Sequence, residues 1–582
     1  MAYERSKSNP GNMTAGTDGQ NLDGMSMTQI AAIIEELKDE SYQPQPARRV
    51  YIPKANGKMR PLGIPTVKDK LVQEVVRTIL ECIYDSPEGA TFSEHSHGFR
   101  ESRSTHSALE EVCKHWNGTK WLVEGDIKSF FDEIDHEVLI TLLKKRVRDD
   151  RFLNLIRKFL KAGYIEDDRL ISTVKGTPQG GVISPVLANI YLHEFDQWVT
   201  DLAEKHTKGK KRRPNKEYRS LVRKRSYILD KCAGRPSKEQ AARLKELEEQ
   251  LLVTPSVDTA DPDFIRVRYV RYADDWLIGV TGPKALAEAI KVDAAKYFRE
   301  SLKLELSFEK TKITHCSKKA AFLGFRVGTP VYGGIRRVKL KQEGSEHYHM
   351  RRSSNASQLK VWAPQGDLLK KLLGERFIKF KNDEPFAIAK RSYVHLDPDD
   401  IVQRYNAIKR GLVNYYRPVV NISVLQFIDY LLRLSLAKTL AQKYRTSMKE
   451  QFRKRGRSLK VRKEHNGQIK VVQYWECKLG MEPMAFTVNP RNPHELYKRY
   501  SKSTRSKLGM SCCICGSDEN IHMHHLRHLR KGSKTVVKGF NRVMAQINRK
   551  QIPVCQPCHV NIHAGRYDGM RLQEMHYDPS YV

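Results

Sequence analysis

The stretch RYVRYADDWLIGV, from Arg268 to Val280, decides the fold, because it places two adjacent carboxylates, Asp274 and Asp275, among apolar and aromatic residues. The flanking residues have the composition of strands, so we predict a hairpin with the acids at its turn. An Asp-Asp turn in water is common and implies no function by itself. In a buried sheet, however, clustered carboxylates are costly unless a cation compensates their charge. The stretch therefore predicts a cation site at the end of a buried hairpin.

A third carboxylate ends another predicted buried strand, in the segment KWLVEGDIKSFFDEID, where Asp126 follows the apolar run. Nucleotidyl transfer uses two divalent cations about 3.5 to 4 Å apart, and these need hard oxygen ligands. Magnesium takes one or two carboxylates per site and completes its shell with water and phosphate. Asp126 with Asp274 and Asp275 is thus a sufficient ligand set for two Mg²⁺ ions.

The charge of the chain points to a nucleic-acid partner. Lys and Arg number 103 against 67 Asp and Glu in 582 residues, and the net charge of +36 is spread along the whole length. A solvated surface explains a single basic run but explains so general an excess poorly. No window is apolar enough to cross a bilayer, and the N-terminus lacks the apolar core of a secretory signal, so we expect no membrane partner. The length predicts three or more folding units.

Four motifs stand in the order KANGKMRPLGIP, GDIKSFFDEIDH, GTPQGGVISPVLANIYL and YADD, and together they resemble the core of the reverse transcriptases. The resemblance implies that Asp126, Asp274 and Asp275 are the catalytic residues and bind the two Mg²⁺ ions. It also implies that the chain copies RNA into DNA.

The same resemblance implies a site for the incoming deoxynucleoside triphosphate (dNTP). Lys58 and Arg60 match the positions that grip the triphosphate, and Gln179 matches the glutamine beside the nucleotide sugar. Phe131, five residues after the first acid, matches the aromatic residue that blocks a ribose 2′-hydroxyl. Considered as residues alone, Phe131 could equally be core packing and Arg60 a surface cation.

The resemblance narrows to the group II intron-encoded proteins. The extension NPGNMTAGTDG, the charged arm before the YADD motif, and the texts RYNAIKRGLVNYYRP and LSLAKTLAQKYR are similar to that family. This implies an α+β multidomain fold, with right-hand polymerase fingers and palm, a helical thumb and a small zinc-stabilised ββα-metal (HNH) domain. The expected regions are an N-terminal extension (1–47), fingers and palm (48–365) with a charged helical insertion (203–262), a thumb or maturase domain X (366–445), a basic DNA-binding linker (446–507) and an HNH endonuclease domain (508–582).

Half of the ten cysteines crowd the C-terminal end of the chain. They include two C-x2-C pairs, a pattern typical of a tetrahedral structural zinc site, formed by Cys512, Cys515, Cys555 and Cys558. Cys513 is the other candidate in the first pair, but C-x2-C spacing lets both thiolates face one ion and so favours Cys512. The zinc would stabilise a segment too small to fold alone.

Four histidines in this frame resemble the HNH nuclease motif: His524, His525, His559 and His563. The resemblance implies that His524, His559 and His563 hold a divalent ion, Mg²⁺ or similar, and that His525 is the general base. A zinc ribbon that only binds DNA is the alternative. The middle Asn of the motif has no clean counterpart, because Asn548 lies two residues from the expected position, where Lys550 stands.

The resemblance as a whole implies a protein with three partners: its group II intron RNA in a ribonucleoprotein, target double-stranded DNA, and dNTPs. It would promote splicing, nick the target DNA and reverse transcribe the intron from the nicked end. The alternatives are a maturase that only folds its RNA, and another class of reverse transcriptase with a fused nuclease. Because no transit peptide is evident, we expect a bacterial cytoplasmic protein associated with the nucleoid, with an organelle matrix as the alternative.

Overall fold

The computed structural model describes residues 2–7, 14–22, 24–53, 59–86, 91–232, 236–258, 261–330, 337–341, 348–352, 358–465, 468–477, 479–480, 483–487, 509–525 and 551–567. These residues form several sheets and many helices, so the predicted α+β multidomain class is confirmed. Within these ranges, no helix is both long enough and apolar enough to cross a membrane.

The N-terminal region and the fingers combine helices with one hairpin. Their elements are α1 (Ala2–Lys7), α2 (Met27–Lys38), β1 (Ala47–Pro53), β2 (Met59–Ile64), α3 (Val67–Tyr84) and α4 (Thr105–His115). A capping box starts α2, because the Ser26 side chain accepts from the Gln29 backbone and the Gln29 side chain accepts from the Ser26 backbone. β1 and β2 pair in antiparallel register. The Asn-Gly pair in the motif KANGKMRPLGIP is typical of a hairpin turn between two such strands, but Asn56 and Gly57 lie outside the described residues.

A helical arm interrupts the palm. The first part of the palm contains β3 (Trp121–Asp126), α5 (Phe130–Glu133), α6 (His136–Lys144), α7 (Asp150–Lys161), β4 (Tyr164–Glu166), β5 (Arg169–Ile171) and α8 (Ser184–His206). The arm consists of α9 (Lys216–Cys232) and α10 (Lys238–Val253), which both lie inside the predicted insertion. The second part contains β6 (Arg266–Tyr272), β7 (Asp275–Thr281), α11 (Lys284–Ser301), β8 (Lys312–His315), β9 (Ala320–Phe322), β10 (Phe325–Gly328), β11 (Arg337–Lys341), β12 (Tyr348–Arg352) and β13 (Lys360–Trp362).

The central palm sheet is antiparallel, in the order β6-β7-β3-β8, and it is buried on both faces. On β3, Val123 packs in the core that includes α8 and α11, whereas its neighbour Leu122 packs in the core that includes α4 and the thumb. On β7, Ile278 packs in the first of these cores and Leu277 in the second. Burial on both faces explains why these strands read as continuous apolar runs rather than as alternating patterns.

The core of the region predicted as the thumb includes residues from the segment predicted as a linker. The elements of both are α12 (Gln365–Gly374), β14 (Ile378–Lys381), β15 (Glu384–Ala387), α13 (Pro398–Tyr416), α14 (Ile422–Lys443), α15 (Met448–Arg455), β16 (Val461–His465) and β17 (Gln468–Val472). The last three lie in the predicted linker 446–507, yet Leu459 and Tyr474 are buried in the thumb core. Asn406 of α13 binds this segment, donating to the Gln473 carbonyl (2.8 Å). The many basic residues of the segment hide these apolar contacts in the sequence.

A small C-terminal module, residues 509–525 and 551–567, has a core of its own. It contains β18 (Ile521–His525), β19 (Gln551–Cys555) and α16 (Gln556–His563), and the two strands pair in antiparallel register.

The N-terminal segment docks this module onto the fingers. The Gly24 N–H donates to the Met523 carbonyl, and the Met523 N–H donates to the Met25 carbonyl, each at 3.0 Å. The Met523 side chain is buried in a cluster with Leu22, Met25 and Leu71 of α3. Residues from opposite ends of the chain therefore share one small core, which is not evident from the sequence alone.

Candidate catalytic and metal sites

The structure brings the three predicted acids to one end of the palm sheet. Asp126 is the last residue of β3, and the strand register places it directly opposite Asp275, the first residue of β7. Asp274 lies in the two-residue turn between β6 and β7. All three residues are half-buried. Carboxylate oxygens are the donors that Mg²⁺ prefers, so the residue types at this end of the sheet fit the predicted ions.

The negative charges of the three carboxylates repel one another. Burial, followed by the charges of Asp274 and Asp126, raises the pKa of Asp275 to about 7. Burial also raises the pKa of Asp274, while the cations Lys310 and Arg60 act in the opposite direction. Lys310 donates a hydrogen bond to Asp126 Oδ2 (2.8 Å). One lysine does not neutralise three carboxylates, so the cluster is suited to further positive charge.

The side chain of Trp276 explains why the residue before Asp126 is a glycine, Gly125. Gly125 lies opposite Trp276 in the β3–β7 ladder, and the Trp276 side chain is buried. A Cβ atom at position 125 would lie 2.0 Å from the Trp276 ring. Only glycine therefore allows the ring to pass under β3, next to the pair formed by Asp126 and Asp275.

The predicted nucleotide-binding residues lie on three segments that backbone hydrogen bonds join. The carbonyl of Phe131, in α5, accepts from the Thr177 N–H (2.7 Å). The carbonyl of Gln179, two residues along that loop, accepts from the Gly63 N–H of β2 (2.6 Å). β2 also carries Arg60, which is exposed and close enough to the cluster to lower the pKa of Asp274. The loop thus ties the fingers to the palm beside the carboxylates.

Phe131 is half-buried, and its ring centroid lies 5.3 Å from that of Phe130 in the palm core. One part of the ring thus packs on the core while another part remains accessible, which suits either of its two predicted roles. Lys58, the other predicted triphosphate contact, lies outside the described residues.

Four cysteine sulfur atoms converge in the C-terminal module, within 4.8 Å of one another: those of Cys512, Cys515, Cys555 and Cys558. The Sγ atoms of Cys515 and Cys555 are 3.5 Å apart, close to the spacing of about 3.8 Å that zinc–sulfur bonds of about 2.3 Å give in a tetrahedron. Cys513 lies outside this group, and its N–H donates to the Pro553 carbonyl (2.9 Å). The donor set fits one zinc ion and includes Cys512, as its spacing predicts.

Three histidines converge next to the cysteines, with ring nitrogens within 4.8 Å of one another: His524, His559 and His563. His559 and His563 are one turn apart on α16, and their Nε2 atoms are 3.2 Å apart. His524 is fully buried on β18, with its ring centroid 5.0 Å from that of His559. Three neutral imidazoles in this arrangement fit one divalent ion. For His525 only the backbone position at the end of β18 is described, and Asn548 and Lys550 lie outside the described residues.

Two cations near the carboxylate cluster are absent from the sequence-based prediction. Lys310 lies between α11 and β8, and Arg271, in β6, forms a fully buried ion pair with Asp196 (2.6 Å). An exposed lysine in a basic chain carries no distinguishing signal. A buried arginine becomes recognisable only when its partner, distant in sequence, is known.

Comparison with known proteins finds two families along the chain. Residues 52–210 match reverse transcriptase (RNA-dependent DNA polymerase), and residues 356–479 match type II intron maturase. The group II intron-encoded protein LtrA of Lactococcus lactis subsp. cremoris is 37% identical over 588 residues, covering 97% of this chain and 93% of the relative. A COX1/OXI3 intron 1 protein of Saccharomyces cerevisiae is 34% identical over 587 residues, covering 98% and 68%. Telomerase from Candida albicans, a solved structure, aligns with 72% of this chain and 60% of its own at 11% identity, with a TM-score of 0.35.

Proposed function

This chain belongs to the group II intron-encoded proteins, which join a reverse transcriptase to an intron maturase, and we propose how its residues divide that work. It is an RNA-directed DNA polymerase that serves intron splicing and retrohoming. In our proposal the acids Asp126, Asp274 and Asp275 form the polymerase centre. The fingers, arm and thumb bind the intron RNA, and the C-terminal module is an HNH endonuclease that nicks the target DNA.

The position of Asp126 opposite Asp275 is the observation that carries the polymerase proposal. Two Mg²⁺ ions held there with Asp274 would activate the primer 3′-hydroxyl and bind the triphosphate of the dNTP. The chain itself supplies the carboxylate oxygens, at the end of two paired strands of the palm sheet. Lys310 donates a hydrogen bond to the Asp126 carboxylate.

We assign nucleotide selection to the residues on either side of the carboxylates. Arg60 is close enough to the carboxylates to lower the pKa of Asp274. An exposed guanidinium at this position is suited to binding the triphosphate of the dNTP. Phe131, on α5, presents an aromatic ring beside the loop that carries Gln179. A ring above the sugar would exclude a 2′-hydroxyl by contact, which selects deoxynucleotides over ribonucleotides.

The excess positive charge supports RNA binding by the arm and thumb. The arm helix α9 exposes Arg219, Arg223 and Lys224 along its length. Such side chains bind phosphate and make affinity steeply dependent on salt. Folded intron RNA also offers 2′-hydroxyls and unpaired bases to these surfaces.

The three-histidine group favours a nuclease over a zinc ribbon. A ribbon that only binds DNA needs the four cysteines and no further metal ligands. Here a second set of donors, His524, His559 and His563, lies beside the first. A divalent ion at the histidines would stabilise the leaving oxygen of a phosphodiester. His525 follows on the same strand as our candidate general base.

The nuclease proposal is tested with the protein bound to its intron RNA and a labelled duplex carrying the target site. His559→Ala should abolish nicking, because it removes one metal ligand, while primer extension on poly(rA)/oligo(dT) stays within about two-fold of wild type. His395→Ala, which removes an exposed histidine in another part of the chain, is the control. Equal nicking by His559→Ala and wild type would instead favour the DNA-binding zinc ribbon.

A further inference from the structure

We propose that Arg271 is a positioning residue for polymerisation, because its buried guanidinium holds the turn that carries Asp274 and Asp275. The proposal rests on the polymerase function that we assign to the three acids. Arg271 immediately precedes the YADD motif in the sequence, and its side chain lies away from the reacting atoms.

All five N–H groups of the Arg271 guanidinium have acceptors. The Nε and Nη2 atoms donate to Asp196 Oδ1 (2.7 Å) and Oδ2 (2.6 Å) in a bidentate pair. Nη1 donates to Asn189 Oδ1 and to the Ala273 carbonyl, each at 3.1 Å. The remaining Nη2 proton goes to Ser96 Oγ (2.8 Å). Because arginine has five such donors, this site uses the whole group.

One of these acceptors belongs to the turn itself. Ala273 is the first residue of the two-residue turn, is buried, and has φ of 56°. This left-handed conformation favours glycine and is strained for alanine. Arg271 therefore donates to the carbonyl of the strained residue immediately before Asp274, and this bond opposes relaxation of the turn.

A second segment presses against the same turn. A Cβ atom at Gly98 would lie 2.3 Å from the Ala273 nitrogen, so the two backbones are in close contact. The Gly98 carbonyl accepts from Asn189 Nδ2 (2.8 Å), and the N–H of Arg271 donates to the His95 carbonyl (2.8 Å). One guanidinium thus joins the segment 95–98, helix α8 and the turn.

The energetics of buried ion pairs favour a positioning role over a stabilising one. Desolvation of Arg271 and Asp196 offsets most of their attraction, and apolar replacements of such pairs are often neutral. A lysine at position 271 would keep the charge opposite Asp196. It could not also reach the Ala273 carbonyl, because its donors share one nitrogen atom instead of forming a planar fork.

The test is the Mg²⁺ dependence of primer extension by the full chain carrying Arg271→Lys. Loss of the bond to the turn should raise the Mg²⁺ concentration for half-maximal rate by about ten-fold, the worth of one charge-assisted hydrogen bond. The KM for dTTP at saturating Mg²⁺ should stay within about two-fold, since the nucleotide contacts are untouched. Arg266→Lys is the control: Arg266 lies on the same strand but donates to the Lys208 and Gly209 carbonyls, away from the turn, so neither value should shift by more than about two-fold.

The outcomes distinguish failure of the positioning role from failure of the polymerase proposal on which it rests. Asp275→Asn, measured in parallel, should be inactive at every Mg²⁺ concentration; an active variant would refute the polymerase site itself. A folded Arg271→Lys with wild-type Mg²⁺ dependence, beside an inactive Asp275→Asn, would refute only the positioning role. If Arg271→Lys does not fold, the paired apolar variant Arg271→Met, Asp196→Leu decides by the same criterion, because it removes the bond to the Ala273 carbonyl without leaving a buried charge unpaired.

Discussion

Asp275→Asn should inactivate the polymerase and at the same time stabilise the metal-free fold. The pKa of Asp275 is raised from 3.8 to about 7, first by burial and then by Asp274 and Asp126. At about 1.4 kcal/mol per pKa unit, keeping this group charged costs at most about 4 kcal/mol. Local relaxation and entering water reduce that figure, so we expect a gain of about 1 to 3 kcal/mol from the neutral amide.

The sign of the pH dependence follows from the raised pKa. The unfolded chain releases the Asp275 proton near pH 3.8, whereas the folded, magnesium-free protein keeps it to about pH 7. Because the folded state binds more protons between these values, stability falls as pH rises through this window and then levels off. The gain from Asp275→Asn should therefore be largest above about pH 7 and absent below about pH 4.

Thermal unfolding with EDTA at about pH 8 and about pH 5, followed by calorimetry, measures this effect. The palm transition of Asp275→Asn should rise by about 2 to 6 °C at the higher pH. Asp293→Asn, exposed on α11, is the matched control and should not shift it. Added Mg²⁺ should stabilise wild type more than the variant. A variant less stable than wild type with EDTA at about pH 8 would refute the charge-repulsion reasoning.

Three further predictions concern other parts of the chain. Phe131→Ala should incorporate ribonucleotides in primer extension, and unchanged discrimination would return Phe131 to a packing role. Elemental analysis should find about one structural zinc per chain, reduced in Cys512→Ser; a zinc-free wild type would exclude the cysteine site. Met523→Asp should undock the C-terminal module, because it buries a charge, and speed amide hydrogen exchange in 521–525 without slowing primer extension. The exposed Met510→Asp is its control, and equal protection in both variants would contradict the docking.

The sequence predicted the carboxylate cluster because its signals are local. Apolar runs that end at Asp126 and at the YADD turn mark buried strands, and their motif order resembles a known family. The strand register was not predictable in the same way. That Gly125 lies opposite Trp276, and Asp126 opposite Asp275, is revealed only by the pairing of two distant strands.

Contacts between distant segments account for most of what the sequence could not reveal. In the sequence Arg271 cannot be distinguished from the other basic residues, because its buried ion pair is with Asp196, which is distant along the chain. Met523, between histidines, carries no sign that it packs against Leu71. In the predicted linker, Tyr474 joins the thumb core within a stretch whose composition is basic. In each case the partner, not the residue, determines the role.

The most direct test of the proposed polymerase site is poly(rA)/oligo(dT) primer extension with Mg²⁺. It compares wild type with the Asp274→Ala, Asp275→Ala double variant. We expect wild type to incorporate dTTP and the double variant to incorporate none, because the two turn acids would hold the metal ions. Incorporation by the double variant at the wild-type rate would contradict the assignment of the polymerase site to the palm hairpin.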